Sequence, residues 1–130
     1  MRSKWPRRAT VQQRAAIEEF LRRAHTPYPG RILSTVLFGS VARGDFDTDS
    51  DIDLLLIAEP ASRSFEREVW SLSFDVSLEF DVILDPHVYS RGLWESLCVK
   101  GHALCRNIER EGIELATPSL PPTSALASPP

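Results

Sequence analysis

The sequence predicts an α/β (α+β) fold, a small mixed sheet of three to four strands with helices packed on it. Three observations carry this. Short apolar runs recur at residues 31–38, 52–57 and 80–84. Between them lie stripes of helical period: Ile17, Phe20, Leu21 and Ala24, then Phe65, Val69, Leu72 and Val76. Glycine and proline mark most of the boundaries.

Thr10 opens the first helix, with Gln13 three residues on as its capping-box partner. Pro27, Pro29 and Gly30 end it. The first strand follows, rich in Ile32, Val36, Leu37 and Phe38. Gly39-Ser40 turns it into one short helical turn at residues 41–43, closed by Gly44. After the acidic loop comes a second buried strand at 52–57. A helix spans 62–78. The third strand, 80–84, is stopped by Pro86. Ser90 caps a helix whose inner face is Leu93, Trp94, Leu97 and Cys98, and Gly101 breaks it. Leu104 and Ile108 mark a last helix, which Gly112 closes as a left-handed C-cap. Five prolines fall in the last 13 residues. The domain is therefore read as 1–115 and the Pro/Ser-rich tail, 116–130, as disordered.

The 130 residues allow one domain with a core, and 42% hydrophobic with 25% charged residues is ordinary for a globular protein. A net charge of −3 argues against a broad nucleic-acid-binding surface. The basic N-terminal cluster (Arg2, Lys4, Arg7, Arg8, Arg14, Arg22, Arg23) reads either as a solvated helix face or as a surface for an acidic partner. No apolar stretch reaches membrane-spanning length, and no apolar segment follows the basic start as a secretory signal requires. Cys98 and Cys105 lack zinc-site spacing and read as reduced thiols, which fits a cytoplasmic protein.

The chemistry concentrates in FGSVARGDFDTDSDIDLLLI, residues 38–57. Asp45, Asp47, Asp49, Asp51 and Asp53 stand at alternate positions and lead into an apolar strand. In an extended segment Asp51 and Asp53 share a face, so they repel each other and call for a positive charge. Mg²⁺ suits such hard oxygen ligands and bridges carboxylates to substrate phosphates. Gly39-Ser40, where a strand gives way to a helix, offers free backbone N–H groups as a phosphate seat. Two metal ions flanking a reacting phosphorus want a third carboxylate from a neighbouring strand. Asp81 is the candidate, with Glu79 and Asp85 in reserve. A calcium loop fails at two points: the sixth position holds Ser50 instead of glycine and the twelfth Leu56 instead of glutamate. For Asp45, Asp47 and Asp49 a plain solvated turn is the simpler reading. For Asp51 and Asp53 it is not, because unpaired charge beside an apolar strand is costly. His25 reads as surface, His87 as a loop histidine near the site, and His102 as the start of a helix. Trp70 and Trp94 read as core or interface residues.

Gly39-Ser40, Ala42-Arg43-Gly44 and Ser50-Asp51-Ile52-Asp53-Leu54 together resemble the signature of minimal nucleotidyltransferases of the DNA polymerase β-like superfamily, with ten residues between Ser40 and Asp51. The stretch Arg106-Asn107-Ile108-Glu109-Arg110-Glu111-Gly112-Ile113 resembles the end of small members encoded beside HEPN-domain proteins. The resemblance implies a palm-like core and Mg²⁺-dependent transfer of a nucleoside monophosphate, with ATP as substrate, to a hydroxyl. Carried onto this chain, it assigns Asp51, Asp53 and Asp81 to catalysis and metal binding, and Gly39, Ser40, Arg43 and Ser50 to the nucleotide. Arg43 is open between contacting phosphate and pairing with the aspartates. The resemblance also implies an antitoxin that attaches AMP to a tyrosine of a HEPN-family toxin, in a hetero-oligomer. Two other functions stay open: an idle antitoxin that neutralises its partner by binding alone, and an aminoglycoside-type nucleotidyltransferase. The latter usually carries an extra helical domain, for which this chain has no room.

Overall fold

The computed structural model describes residues 9–47 and 49–116. The basic residues Arg2, Lys4, Arg7 and Arg8, Trp5, and the tail from 117 onward lie outside them. The described chain runs α1 (Val11–His25), β1 (Ile32–Phe38), α2 (Gly39–Arg43), β2 (Ile52–Ala58), α3 (Arg63–Phe80), β3 (Leu84–Ser90), α4 (Arg91–Val99), α5 (Ala103–Glu111) and β4 (Ile113–Glu114). The strands form one mixed sheet in the order β3-β2-β1-β4. β1 pairs antiparallel with both β2 and β4, and β2 pairs parallel with β3. A parallel pair needs a crossover between its strands, and α3 supplies it.

The sheet is covered on both faces, so its central strand is apolar on both. Leu54, Leu56 and Ala58 of β2 join Ala16, Ile17, Phe20 and Leu21 of α1 and Phe65, Val69 and Val76 of α3 in the larger core. The alternate residues Leu55 and Ile57 join Val36, Phe38 and Ile108 in a smaller core, against which Trp94 and Leu104 pack. Leu54 is fully buried; truncating such a leucine to alanine costs about 2–5 kcal/mol.

The helix starts obey local rules. The Thr10 hydroxyl accepts from Gln13 N at 3.0 Å while Gln13 Oε1 accepts from Thr10 N at 2.9 Å, a complete capping box. Ser62 Oγ accepts from Phe65 N at 3.1 Å, and Ser90 Oγ from Leu93 N at 3.2 Å.

Several expectations are corrected. The third strand is Leu84–Ser90, not 80–84. α3 continues to Phe80 and stops only where Asp81 turns left-handed (φ 55°), its N–H bonded to Ser77 O. Pro86 lies inside β3 and is tolerated because β3 is the edge strand, where one side needs no donor. Gly112 is extended (φ −70°, ψ 147°), not left-handed. A Cβ there would meet Ile108 O at 2.5 Å and Val36 Cγ1 at 2.8 Å, so glycine is set by close packing of α5 on β1. His25 is fully buried, because it extends the buried row of Ile17 and Leu21 by one more turn. The inner face of α4 is only partly covered: Trp94, Leu97 and Cys98 are half-buried and Leu93 is exposed.

Candidate active site

β1 and β2 deliver two residues to one end of the sheet. Phe38, the last residue of β1, pairs with Asp53 of β2, and Asp53 pairs in turn with Asp85 of β3. Asp53, Leu55 and Ile57 share the face toward α4 and α5, as do Asp85, His87 and Tyr89 opposite them. Two carboxylates thus stand side by side on neighbouring strands. His87 Nε2 lies 3.5 Å from Asp53 Oδ1 and 3.3 Å from Asp85 Oδ2. The Phe38 ring backs the imidazole, with centroids 5.2 Å apart.

Gly39 makes room for this cluster. Its φ is +80°, which side-chain-bearing residues rarely adopt, and a Cβ there would fall 2.3 Å from Asp53 Oδ2. Backbone therefore approaches the carboxylate as closely as backbone can. Ser40 follows in the same turn, and its carbonyl accepts from Gly44 N at 2.8 Å and Asp45 N at 3.1 Å.

The electrostatics follow from proximity. Burial pushes the Asp85 carboxyl above its ordinary range; His87 opposes this and the Asp53 and Asp51 charges add to it. The contact with Asp53 raises the His87 imidazole above its ordinary value, against the effect of burial, and Asp85 adds to the rise. The two carboxylates thus favour a positive charge between them. The ligand atoms of Asp53, Asp85 and His87 all lie within 4.8 Å of one another. Two hard carboxylate oxygens at that spacing fit a divalent cation such as Mg²⁺.

The other acidic residues have separate tasks. Asp45 pairs with Arg43 Nε at 3.1 Å, and Arg43 Nη1 also reaches Glu111 Oε1 at 3.1 Å, joining α2 to α5. Asp47 orders its own loop: Oδ1 accepts from Asp49 N at 2.9 Å, and its N–H donates to Ser50 Oγ at 3.0 Å. Ser50 is therefore engaged within the loop. Asp51 is exposed just before β2 and lies outside the close cluster. Asp81 caps α3 and lines a separate cleft with Gln12, Phe46 and Asp49. Glu79 is held by Arg23 in two hydrogen bonds of 2.8 Å. Of the three acids considered for the neighbouring strand, only Asp85 stands beside Asp53. The sequence carries one sign of it: Asp85-x-His87 repeats the alternate spacing of Asp51-x-Asp53, and a proline between the two masked its strand.

Residues 16–114 match the nucleotidyltransferase domain family. The chain belongs to that family. Among relatives of this nucleotidyltransferase, the Methanocaldococcus jannaschii protein named as protein adenylyltransferase MJ0604 is 31% identical over 102 residues, covering 78% of this chain and 96% of its own. Another from the same organism, named as protein adenylyltransferase MJ0141, is 32% identical over 76 residues, 58% of this chain and 77% of its own. A crystal structure described as a toxin–antitoxin with AMP-PNP superposes with a TM-score of 0.51 at 19% identity, covering 75% of this chain and 70% of that one, which establishes a shared fold. Among the described residues of the nucleotidyltransferase, no helix is long and apolar enough to cross a membrane.

Proposed function

We propose that this nucleotidyltransferase moves AMP from ATP to a tyrosine hydroxyl of a HEPN-family toxin and thereby acts as its antitoxin. The observation that carries the reading is the approach of Gly39 backbone to the carboxylate of Asp53, which stands beside Asp85 on the next strand. A phosphate-seating turn and a cation-holding pair then meet at one point. Support for a protein acceptor comes from the relatives named as protein adenylyltransferases, and support for a toxin partner from the related toxin–antitoxin fold. The likeness of residues 106–113 to members encoded beside HEPN proteins supports the same partner.

Gly39 and Ser40 hold the triphosphate by close backbone approach. Asp51 and Asp53 hold Mg²⁺, with Asp85 as the third carboxylate in the place first considered for Asp81. When bound, the metal offsets the charge of the phosphates and of the leaving pyrophosphate. The acceptor hydroxyl attacks the α-phosphorus in line, the bond to the pyrophosphate oxygen breaks, and the hydroxyl proton passes to a carboxylate oxygen of Asp85. Position and charge supply the catalysis, with no covalent enzyme intermediate.

The test is label transfer. The protein is mixed with Mg²⁺, ATP labelled at the α-phosphate and its HEPN partner, beside the Asp53→Asn variant. Label appears on the partner with wild-type protein and is absent with the variant. Inhibition of the partner by both proteins, with no label in either case, would identify an antitoxin acting by binding alone.

A further inference from the structure

The transfer step leaves His87 without a task, although its position is closely set. Its Nε2 is buried and has no hydrogen-bond partner among the described residues. That nitrogen lies 3.3 Å from Asp85 Oδ2 and 3.5 Å from Asp53 Oδ1, shared between the two carboxylates without hydrogen-bond geometry to either. The Phe38 ring, itself buried, stands against the imidazole from β1. A buried polar atom without a partner is uncommon and calls for a reason.

The backbone fixes this arrangement. Asp53 pairs with Asp85 and Leu55 with His87 across the parallel ladder, so the three donors rise from neighbouring positions on one face of the sheet. Regular strands hold ligands more firmly than loops do. The donor atoms of all three lie within 4.8 Å of one another. Donors about 2.1 Å from a shared ion stand roughly 3–4 Å apart, so the cluster needs little adjustment to close on one. The set is two carboxylate oxygens and one imidazole nitrogen. Mg²⁺ gains from the oxygens alone, because it keeps oxygen ligands and water. First-row transition ions also take imidazole, and Mn²⁺ among them is at ease with carboxylates. Asp51 lies outside the cluster, which leaves it for the Mg²⁺ that accompanies the triphosphate.

We propose that Asp53, Asp85 and His87 form a mixed oxygen–nitrogen site for a divalent transition-metal cation, Mn²⁺ in preference to Mg²⁺, with His87 Nε2 as a direct ligand. In the proposed reaction, on which its role rests, the site supplies the second ion of a two-metal transfer, and His87 sets which element fills it. Binding of the ion itself needs neither nucleotide nor acceptor. Mg²⁺ at millimolar concentration still enters through the carboxylates, with lower affinity.

Electron paramagnetic resonance of Mn²⁺ added to the full chain, with no nucleotide present, tests this without reference to transfer. The signal of free Mn²⁺ falls as the ion binds, and pulsed measurements on the bound ion detect coupling to a ligand nitrogen. At about pH 8, where an imidazole offers its lone pair, wild-type protein shows that coupling. Displacing its Mn²⁺ takes at least about tenfold more Mg²⁺ than Mn²⁺. His87→Leu loses the nitrogen coupling and binds Mn²⁺ at least about tenfold more weakly. His87→Asp, which supplies an oxygen instead, keeps a bound ion without nitrogen coupling and brings the affinities for Mn²⁺ and Mg²⁺ to within about threefold of each other. Asp85→Asn weakens Mn²⁺ binding, which places the ion at this cluster. Circular dichroism checks that each variant is folded, and His87→Gln replaces His87→Leu if that variant is not. Absence of Mn²⁺ binding to wild-type protein at about 1 mM, a bound ion without nitrogen coupling, or unchanged affinity in His87→Leu overturns the proposal. With nucleotide and partner both left out, these results are independent of whether label reaches a toxin.

Discussion

A methyl group at Gly39 separates the two demands made on that residue. In Gly39→Ala the Cβ would begin 2.3 Å from Asp53 Oδ2 and 3.2 Å from its Cγ. Ordinary contact needs about 3.4 Å, so the carboxylate must retreat by roughly 1 Å, a displacement that costs about 10²-fold in rate at a reacting centre. The backbone at φ +80° adds strain of about 1–2 kcal/mol for a residue with a side chain. That corresponds to a melting temperature lower by roughly 3–6 °C per kcal/mol in a domain of this size. Gly30→Ala is the control. Gly30 has φ +82° and nothing within 4 Å of its would-be Cβ. It carries the same kind of strain, with no clash. Label transfer and thermal melting on both variants should show comparable losses of stability, with a loss of rate in Gly39→Ala only. Wild-type turnover in Gly39→Ala would refute the close approach as the basis of the site, and an equal loss in Gly30→Ala would show that strain alone explains the effect.

The acids of the site separate in the same assay. Asp53→Asn and Asp85→Asn should each lower transfer by about 10³-fold or more, as loss of a charge that acts on the reacting phosphate does, while Asp81→Asn, which suits a left-handed cap, should stay within about threefold of wild type. The reverse order would place the third carboxylate at Asp81. Chelation of divalent cations should stop transfer, and added Mg²⁺ should restore it; activity that persists in chelator would exclude the metal from the reaction. His25 gives a pH effect on stability. It is fully buried, neither ring nitrogen has a hydrogen-bond partner, and burial holds its pKa below the ordinary 6.5. Below pH 6.5 the unfolded chain binds this proton more readily than the folded chain, so stability falls with acidity until His25 also protonates in the fold, by at most about 1.4 kcal/mol per pH unit. His25→Leu should flatten urea-denaturation stability between pH 6.5 and pH 5, and an unchanged slope would refute this origin.

Features set by neighbours along the chain were legible in the sequence. The Thr10–Gln13 box, the Ser90 cap and the stripe Phe65, Val69 and Val76 of α3 depend on residues three or four apart, and the structure has them as read. The Gly39-Ser40 turn was legible because glycine and serine between two apolar runs have few other uses. Features set by pairing at long range were not. Residues 80–84 look like a strand by local composition, yet α3 claims Phe80 and the pairing with β2 begins at Leu84. That shift of register decides which acid faces Asp53, and composition cannot show it. β4, only two residues long, exists because Leu37 and Val36 offer it a free edge. The burial of His25 likewise depends on what packs over the end of α1. At the site, the position of Gly39 and Asp53 followed from the motif, whereas that of Asp85 and His87 required the fold.

The two borders of the sheet limit how a second protein can be held. On one side β4 spans two residues, and on the other β3 contains Pro86. Neither presents a long ladder of unpaired amides, so neither invites an incoming segment to add itself as a further strand, and aggregation by that route is blunted as well. Asp85 and His87 lie on that proline-bearing border strand, each with part of its side chain exposed. On the proposed function, an acceptor side chain on an incoming loop or helix reaches the carboxylates from the flank, because the rim it passes has no means of zipping onto its backbone.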